Sequence, residues 1–222
     1  MVDWFAGSGD ILQALFSNDS WEIRQALRQP GAWPMGLLAT LLGGSAFYFL
    51  YRYIPWLDRR IESTIMVTSY LMIGAIIFVE VIRRFTIGEQ APWSTTIPPF
   101  LFLIMTWVGC SYNVKLRTHL AFAEFRTAMP RIGQMGCLTL DAILWLGFSW
   151  VVIVTSSRQV ANSAANFQIM LGTDNVLQWW FLISVPISFL MLTGRVIENY
   201  VTDWQNYLSG ETLIEQAVIG AD

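Results

Sequence analysis

The chain has 222 residues, of which 55% are hydrophobic and 13% charged, about half the charged share of an ordinary soluble domain. A formal net charge of -3 gives no basic surface for nucleic acid, and the charge sits in short clusters separated by apolar runs long enough to cross a bilayer. Uniform apolarity through those runs predicts helices, because barrel strands would alternate in polarity over about ten residues.

Residues 1–30 are polar to amphipathic and lack the basic start of a signal peptide. Ile11, Leu12, Leu15 and Phe16 form one helical stripe, and Ser20 is placed to cap a second turn that begins at Trp21. Such a segment suits the membrane interface or the surface of another protein. An uncharged run from Gln29 to Tyr51 predicts a helix over about 33–53, anchored by Tyr48, Tyr51, Arg52, Tyr53 and Trp56. Its Gly43-Gly44-Ser45-Ala46 run offers a face that another helix backbone could approach closely.

After a linker at 55–60, a second helix is predicted over about 61–85, ending in Glu80, Arg83 and Arg84. Spacings of three and four residues allow Glu80 to pair locally with either arginine. A polar turn containing Gly88 and Pro92-Trp93 leads to a third helix, from Pro98-Pro99 to about Leu116. Residues 115–131 are too charged to span and read as a short amphipathic helix ending at Pro130. A fourth helix is predicted over about 132–156, a polar loop over 157–174, and a fifth helix over about 176–196 with a kink at Pro186. A polar tail follows from 202 to 222.

If all five runs span, Arg52, Arg59, Arg60, Lys115, Arg117, Arg126, Arg131 and Arg195 share one side, eight of the 13 basic residues. The positive-inside tendency then makes that side, with the C-terminus, cytoplasmic. If 33–53 does not cross, the division becomes ten against three, so charge favours four spans while length and apolarity favour five. The expected fold is therefore an all-α integral membrane protein. Residues 61–201 form a four-helix transmembrane core, preceded by an amphipathic segment and an additional N-terminal transmembrane helix within 1–60, and followed by the tail at 202–222.

Few residues offer chemistry. His119 is the single histidine, which excludes bis-histidine haem ligation within the chain, and the sequence holds no usual metal set, phosphate loop or nucleophile–base motif. No cofactor is expected, and an enzyme is disfavoured. Cys110 and Cys137 read as apolar thiols in membrane helices. His119 suits an interface contact, to lipid, a carbonyl or a partner subunit. Asp141 is the one acid well inside an apolar run, about 13 Å into its helix by helical rise. It would serve an inter-helical hydrogen bond or, alternatively, a coupling-ion or proton site. Arg195 and Glu198 repeat the local spacing seen at Glu80 and Arg83.

Three stretches carry a family pattern: VEVIRRFTIGEQAPW from Val79 to Trp93, FLIMTWVGCSYNVKLRTHLAFAEF from Phe102 to Phe125, and Met129-Pro130. In order and spacing over some 65 residues they resemble the small, DctQ-like membrane subunit of tripartite ATP-independent periplasmic (TRAP) transporters. The sequence departs from that pattern at Ser94-Thr95-Thr96-Ile97, where an acid often follows the loop Trp, and in its longer N-terminus. The resemblance implies a scaffold beside a large, sodium-coupled DctM-like permease, supplied with an organic acid or similar solute by a periplasmic binding protein. It implies a bacterial or archaeal plasma membrane, the inner membrane in a Gram-negative cell, with lipids as further partners. Arg84, Trp93, Trp107, Gly109, Arg117, His119 and Asp141 then become candidates for partner-interface or structural roles. The alternative is a non-catalytic structural subunit of another membrane complex.

Overall fold

A computed structural model describes residues 6–118 and 126–213. Two short helices, α1 (Ser8–Ser17) and α2 (Ser20–Arg28), precede α3 (Ala32–Tyr53), α4 (Pro55–Thr86), α5 (Trp93–Lys115) and α6 (Arg131–Ala165). They are followed by α7 (Trp179–Leu182) and α8 (Ser184–Ser209), which together form one run interrupted at Ile183. Pro186 explains the break: it has no N–H to give the carbonyl four residues back, which belongs to Leu182.

Among the described residues five helices are long and apolar enough to cross a bilayer: α3, α4, α5, α6 and the α7–α8 run. The additional helix at the N-terminus is one of them. Several ends lie beyond the sequence expectation. α4 begins at Pro55 rather than near 61, α5 at Trp93 ahead of its proline pair, and α6 continues to Ala165 through residues read as loop. α8 likewise continues through 202–209, where Gly210 in the left-handed region and three bonds from Arg131 Nη2 to the carbonyls of Asn206, Tyr207 and Glu211 end it. At 35 residues α6 extends about 52 Å, well past a hydrocarbon core of roughly 30 Å.

α8 is the central pillar, and α3, α5 and α6 pack around it. In its most apolar stretch 56% of residues are buried, against 6% for α4, which leans mainly on α5 and leaves Tyr70, Leu71, Phe78 and Phe85 exposed. Val114, Ile153, Phe189, Leu192 and Val196 form the main core, with Trp107 and Trp145 against it. The α3–α8 crossing is close because it is made of small residues. A Cβ on Gly44 would lie 2.3 Å from Thr193 Cγ2, and one on Gly194 would lie 2.8 Å from Phe47 Cβ. The glycine run of α3 therefore does what its composition suggested.

α1 and α2 fold back on each other and on the start of α3 through Ile11, Ala14, Ala26 and Ala32. Asp19, rather than Ser20, caps α2, accepting a 2.8 Å bond from the Trp21 N–H. α2 also rests on the C-terminal part of α6, where Arg158 Nε donates to the Leu27 carbonyl. Between α6 and α7 a turn is closed by an isolated bridge between Ile169 and Leu177.

Candidate functional site

The most polar interior site forms where α3 ends, α4 begins and α5 and α8 pass alongside. Arg195 lies in an otherwise apolar stretch of α8, and its side chain is fully buried. A cation there needs partners for its charge and for each of its five N–H donors. All are supplied from within the chain. Nε and Nη2 bind the two oxygens of Glu62 at 2.8 and 2.9 Å, a bidentate pair. Nη1 binds Asp58 Oδ1 and, at 2.8 Å, Glu198 Oε2, while Nη2 also donates to the Asp58 carbonyl at 2.9 Å. The Tyr51 ring lies over the guanidinium, 3.6 Å from ring centre to Cζ.

The cluster extends to α5. Ser111 Oγ donates to Glu62 Oε1 at 3.0 Å, and Lys115 Nζ donates to the Asp58 carbonyl and lies 3.4 Å from its carboxylate. Glu62 is as buried as the core, at 2% exposure, so both halves of the central pair are out of water. Two cations and three carboxylates thus tie α3, α4, α5 and α8 together at one end.

A second, smaller site lies beside it. Arg117, held at a positive φ of 56° just past α5, places Nη1 2.6 Å from Asp203 Oδ1 and donates from Nη2 to the Asn199 carbonyl at 3.2 Å. Asn199 in turn donates to the Val114 carbonyl at 2.8 Å, so α5 and α8 are cross-bonded twice. Asp141 of α6 faces the same small cavity as Arg117, Asn199 and Asp203, and Arg126 Nη2 lies 4.0 Å from it. The structure therefore brings Arg117 and Asp141 together.

The remaining sequence candidates do not join them. Trp107 packs on Phe189, with ring centres 5.1 Å apart, and a Cβ on Gly109 would lie 3.7 Å from Met66 of α4. Trp93 opens α5 half-buried, and Arg84 is exposed at the other end of the bundle. His119, and much of the amphipathic segment read at 115–131, lie outside the described residues. Glu80 pairs with neither Arg83 nor Arg84 among the described residues; its Oε2 accepts the Ala91 N–H at 3.3 Å and braces the α4–α5 turn. Cys110 and Cys137 are free and half-buried.

Sequence reasoning missed the Arg195 cluster as a site. Two signals pointed to it: Asp58 and Glu62 are four residues apart, hence on one helix face, and Arg195 is a lone cation between apolar residues of a membrane helix.

Comparison with known proteins places these sites in a family. The chain is similar to the sialic acid TRAP transporter small permease protein SiaQ of Vibrio cholerae serotype O1, at 22% identity over 164 residues that cover 72% of this chain and 92% of that protein. The profile of the DctQ component of tripartite ATP-independent periplasmic transporters matches residues 73–206, more than half of the chain. Arg195, Glu198, Ser111 and Lys115 fall inside that match, and Tyr51, Asp58 and Glu62 precede it, so the ion cluster fastens the N-terminal helices to the matched region. The chain is a multi-pass membrane protein that belongs to the DctQ family of small TRAP transporter subunits.

Proposed function

We propose that this chain is the scaffold of a sodium-coupled TRAP transporter, bracing the fixed part of a large DctM-like permease that imports an organic acid. A periplasmic binding protein delivers the solute, and the chain has no catalytic step of its own. The observation that carries this reading is the closure of the Arg195 cluster. All five guanidinium donors are consumed inside the chain, while long apolar faces, above all on α4, remain for lipid and a partner subunit. A transport path would instead need polar groups left available near the bilayer centre.

Sialic acid, in the name of the Vibrio cholerae relative, is itself an organic acid and supports that substrate class. The excess of basic residues at the Arg195 end supports a cytoplasmic C-terminus and an N-terminus on the periplasmic face.

Co-purification tests the assignment. Tagged full-length chain should bring down the large permease subunit from membranes in which both are expressed, and the purified chain alone should bind no solute. Stoichiometric recovery without the large subunit, or solute binding by the chain alone, would count against it. Single cysteines at Ser8 and Ser209, in a chain with Cys110→Ala and Cys137→Ala, should react with an impermeant thiol reagent from opposite faces.

A further inference from the structure

At the end of the bundle away from Arg195, the N-terminal helices, the C-terminal part of α6 and α7 line an open cavity of about 550 Å³. The scaffold reading has no use for it. Its walls are mostly apolar, with Leu15 of α1, Ile23 and Leu27 of α2, Ala164 of α6 and Trp179 of α7, and Asn18, Ser20 and Ser157 add polar groups. One wall comes from helices that precede the DctQ match and the others from within it. A hollow of this size lined by aliphatic and aromatic groups suits a small apolar ligand or part of a larger one.

Three cations, Arg24, Arg28 and Arg158, lie beside the cavity, as do two exposed carboxylates, Asp19 between wall residues Asn18 and Ser20 and Glu22 next to Ile23. Arg24 follows wall residue Ile23, and its Nη1 donates to Asn166 Oδ1 at 3.4 Å, beside the wall at Ala164. Its Nε is buried and has no hydrogen-bond partner among the described residues. Arg158 Nε donates to the carbonyl of wall residue Leu27 at 2.7 Å, and the guanidinium lies 5.3 Å from the Trp33 ring centre. Arg28, next to Leu27, is exposed. Among the described residues none of the three has a carboxylate within 4.0 Å, whereas Arg195 has three.

We propose that this cavity is a phospholipid site, which takes an acyl chain of an anionic lipid between α1–α2 and α6–α7 while Arg24 and Arg28 hold the phosphate. The two halves of the site require one molecule with a charged end and an apolar tail. A free anion would leave the apolar walls unused, and an uncharged amphiphile would leave the arginines unmatched. The lipid would also explain why a helix pair outside the DctQ match is held against α6: it completes a wall. Nothing in this geometry depends on which face of the bilayer is cytoplasmic.

Photolabelling tests it. The complex with the large subunit is reconstituted in phosphatidylcholine vesicles that contain a little phosphatidylglycerol with a diazirine in its tail. After irradiation, adducts are mapped by peptide mass spectrometry. The expected result is adducts on the peptides carrying Ile23 and Ala164, competed by unlabelled phosphatidylglycerol but not by more phosphatidylcholine. Joint replacement Arg24→Gln and Arg28→Gln should lower them about tenfold, from two phosphate-binding charges lost, while adducts on the other peptides of the complex persist. Ala164→Trp, which takes up part of the cavity, should lower them as well. Equal labelling by a phosphatidylcholine analogue, indifference to the arginine changes, or protection of these peptides by the large subunit in place of lipid would each overturn the proposal. Competition in the wild-type complex decides the matter even if a variant fails to fold.

Discussion

Where α3 ends and α4 begins, Lys115, Arg117, Arg126 and Arg195 each have a carboxylate within 4.0 Å, while Arg52, Arg59, Arg60 and Arg131 have none among the described residues; at the opposite end none of Arg24, Arg28, Arg83, Arg84 and Arg158 has one. The first end uses buried charge to join helices that are distant in sequence. The second uses its cations locally, on carbonyls, amides and aromatic faces, and leaves positive charge over. The contrast separates charge that specifies the fold from charge available to something outside it. A lone buried Arg is costly unless every donor is met, so the Arg195 end tolerates little change, whereas the Arg24 end should tolerate substitution in the fold while losing what it binds.

The largest effect is expected from Arg195→Met, which strands Glu62 in the core: about 3–5 kcal/mol of stability lost, read as a collapse of the monodisperse peak and of the thermal midpoint in detergent. Combining it with Glu62→Met should recover much of that loss, because the stranded charge is gone. Arg195→Lys should fall between wild type and Arg195→Met, since an ammonium cannot reproduce the planar five-donor pattern. If Arg195→Met unfolds at the wild-type temperature, the difference between the two ends is not energetic.

Gly44→Leu should cost about 1–3 kcal/mol by driving a side chain into Thr193, and the same thermal measurement would detect α3 coming away from α8. Arg117→Gln leaves the nearly buried Asp203 without its cation and should cost about 1–2 kcal/mol, tempered by the partial exposure of Arg117. At Asp141, Asn should be tolerated and Leu should be worse in uptake by the whole transporter; equal uptake by both would show that its polarity is not needed. The smallest effect is expected at the other end, where Arg84→Gln should leave stability unchanged.

The helices were legible because uncharged runs of this length have few fates in a folded chain. The Gly43-Gly44 face was legible too, since small residues announce a close crossing. Helix ends were not: Asp58, Arg59 and Arg60 read as a polar linker, yet with Glu62 they lie in the first turns of α4, whose polar start packs on Arg195 instead of turning away. Nor were the partners of Arg195, because Glu62 lies 133 residues away and only the tertiary arrangement of α4 and α8 brings them together. Glu80 misled for the converse reason: helical spacing allowed a local ion pair, but the turn after α4 offered its carboxylate an N–H at Ala91.

The scaffold reading is tested most directly by solute uptake into proteoliposomes that contain the large permease subunit, with the binding protein and a sodium gradient supplied, in the presence and absence of this chain. Uptake is expected only when the chain is present, and none from the chain alone. Full uptake without it would contradict the account.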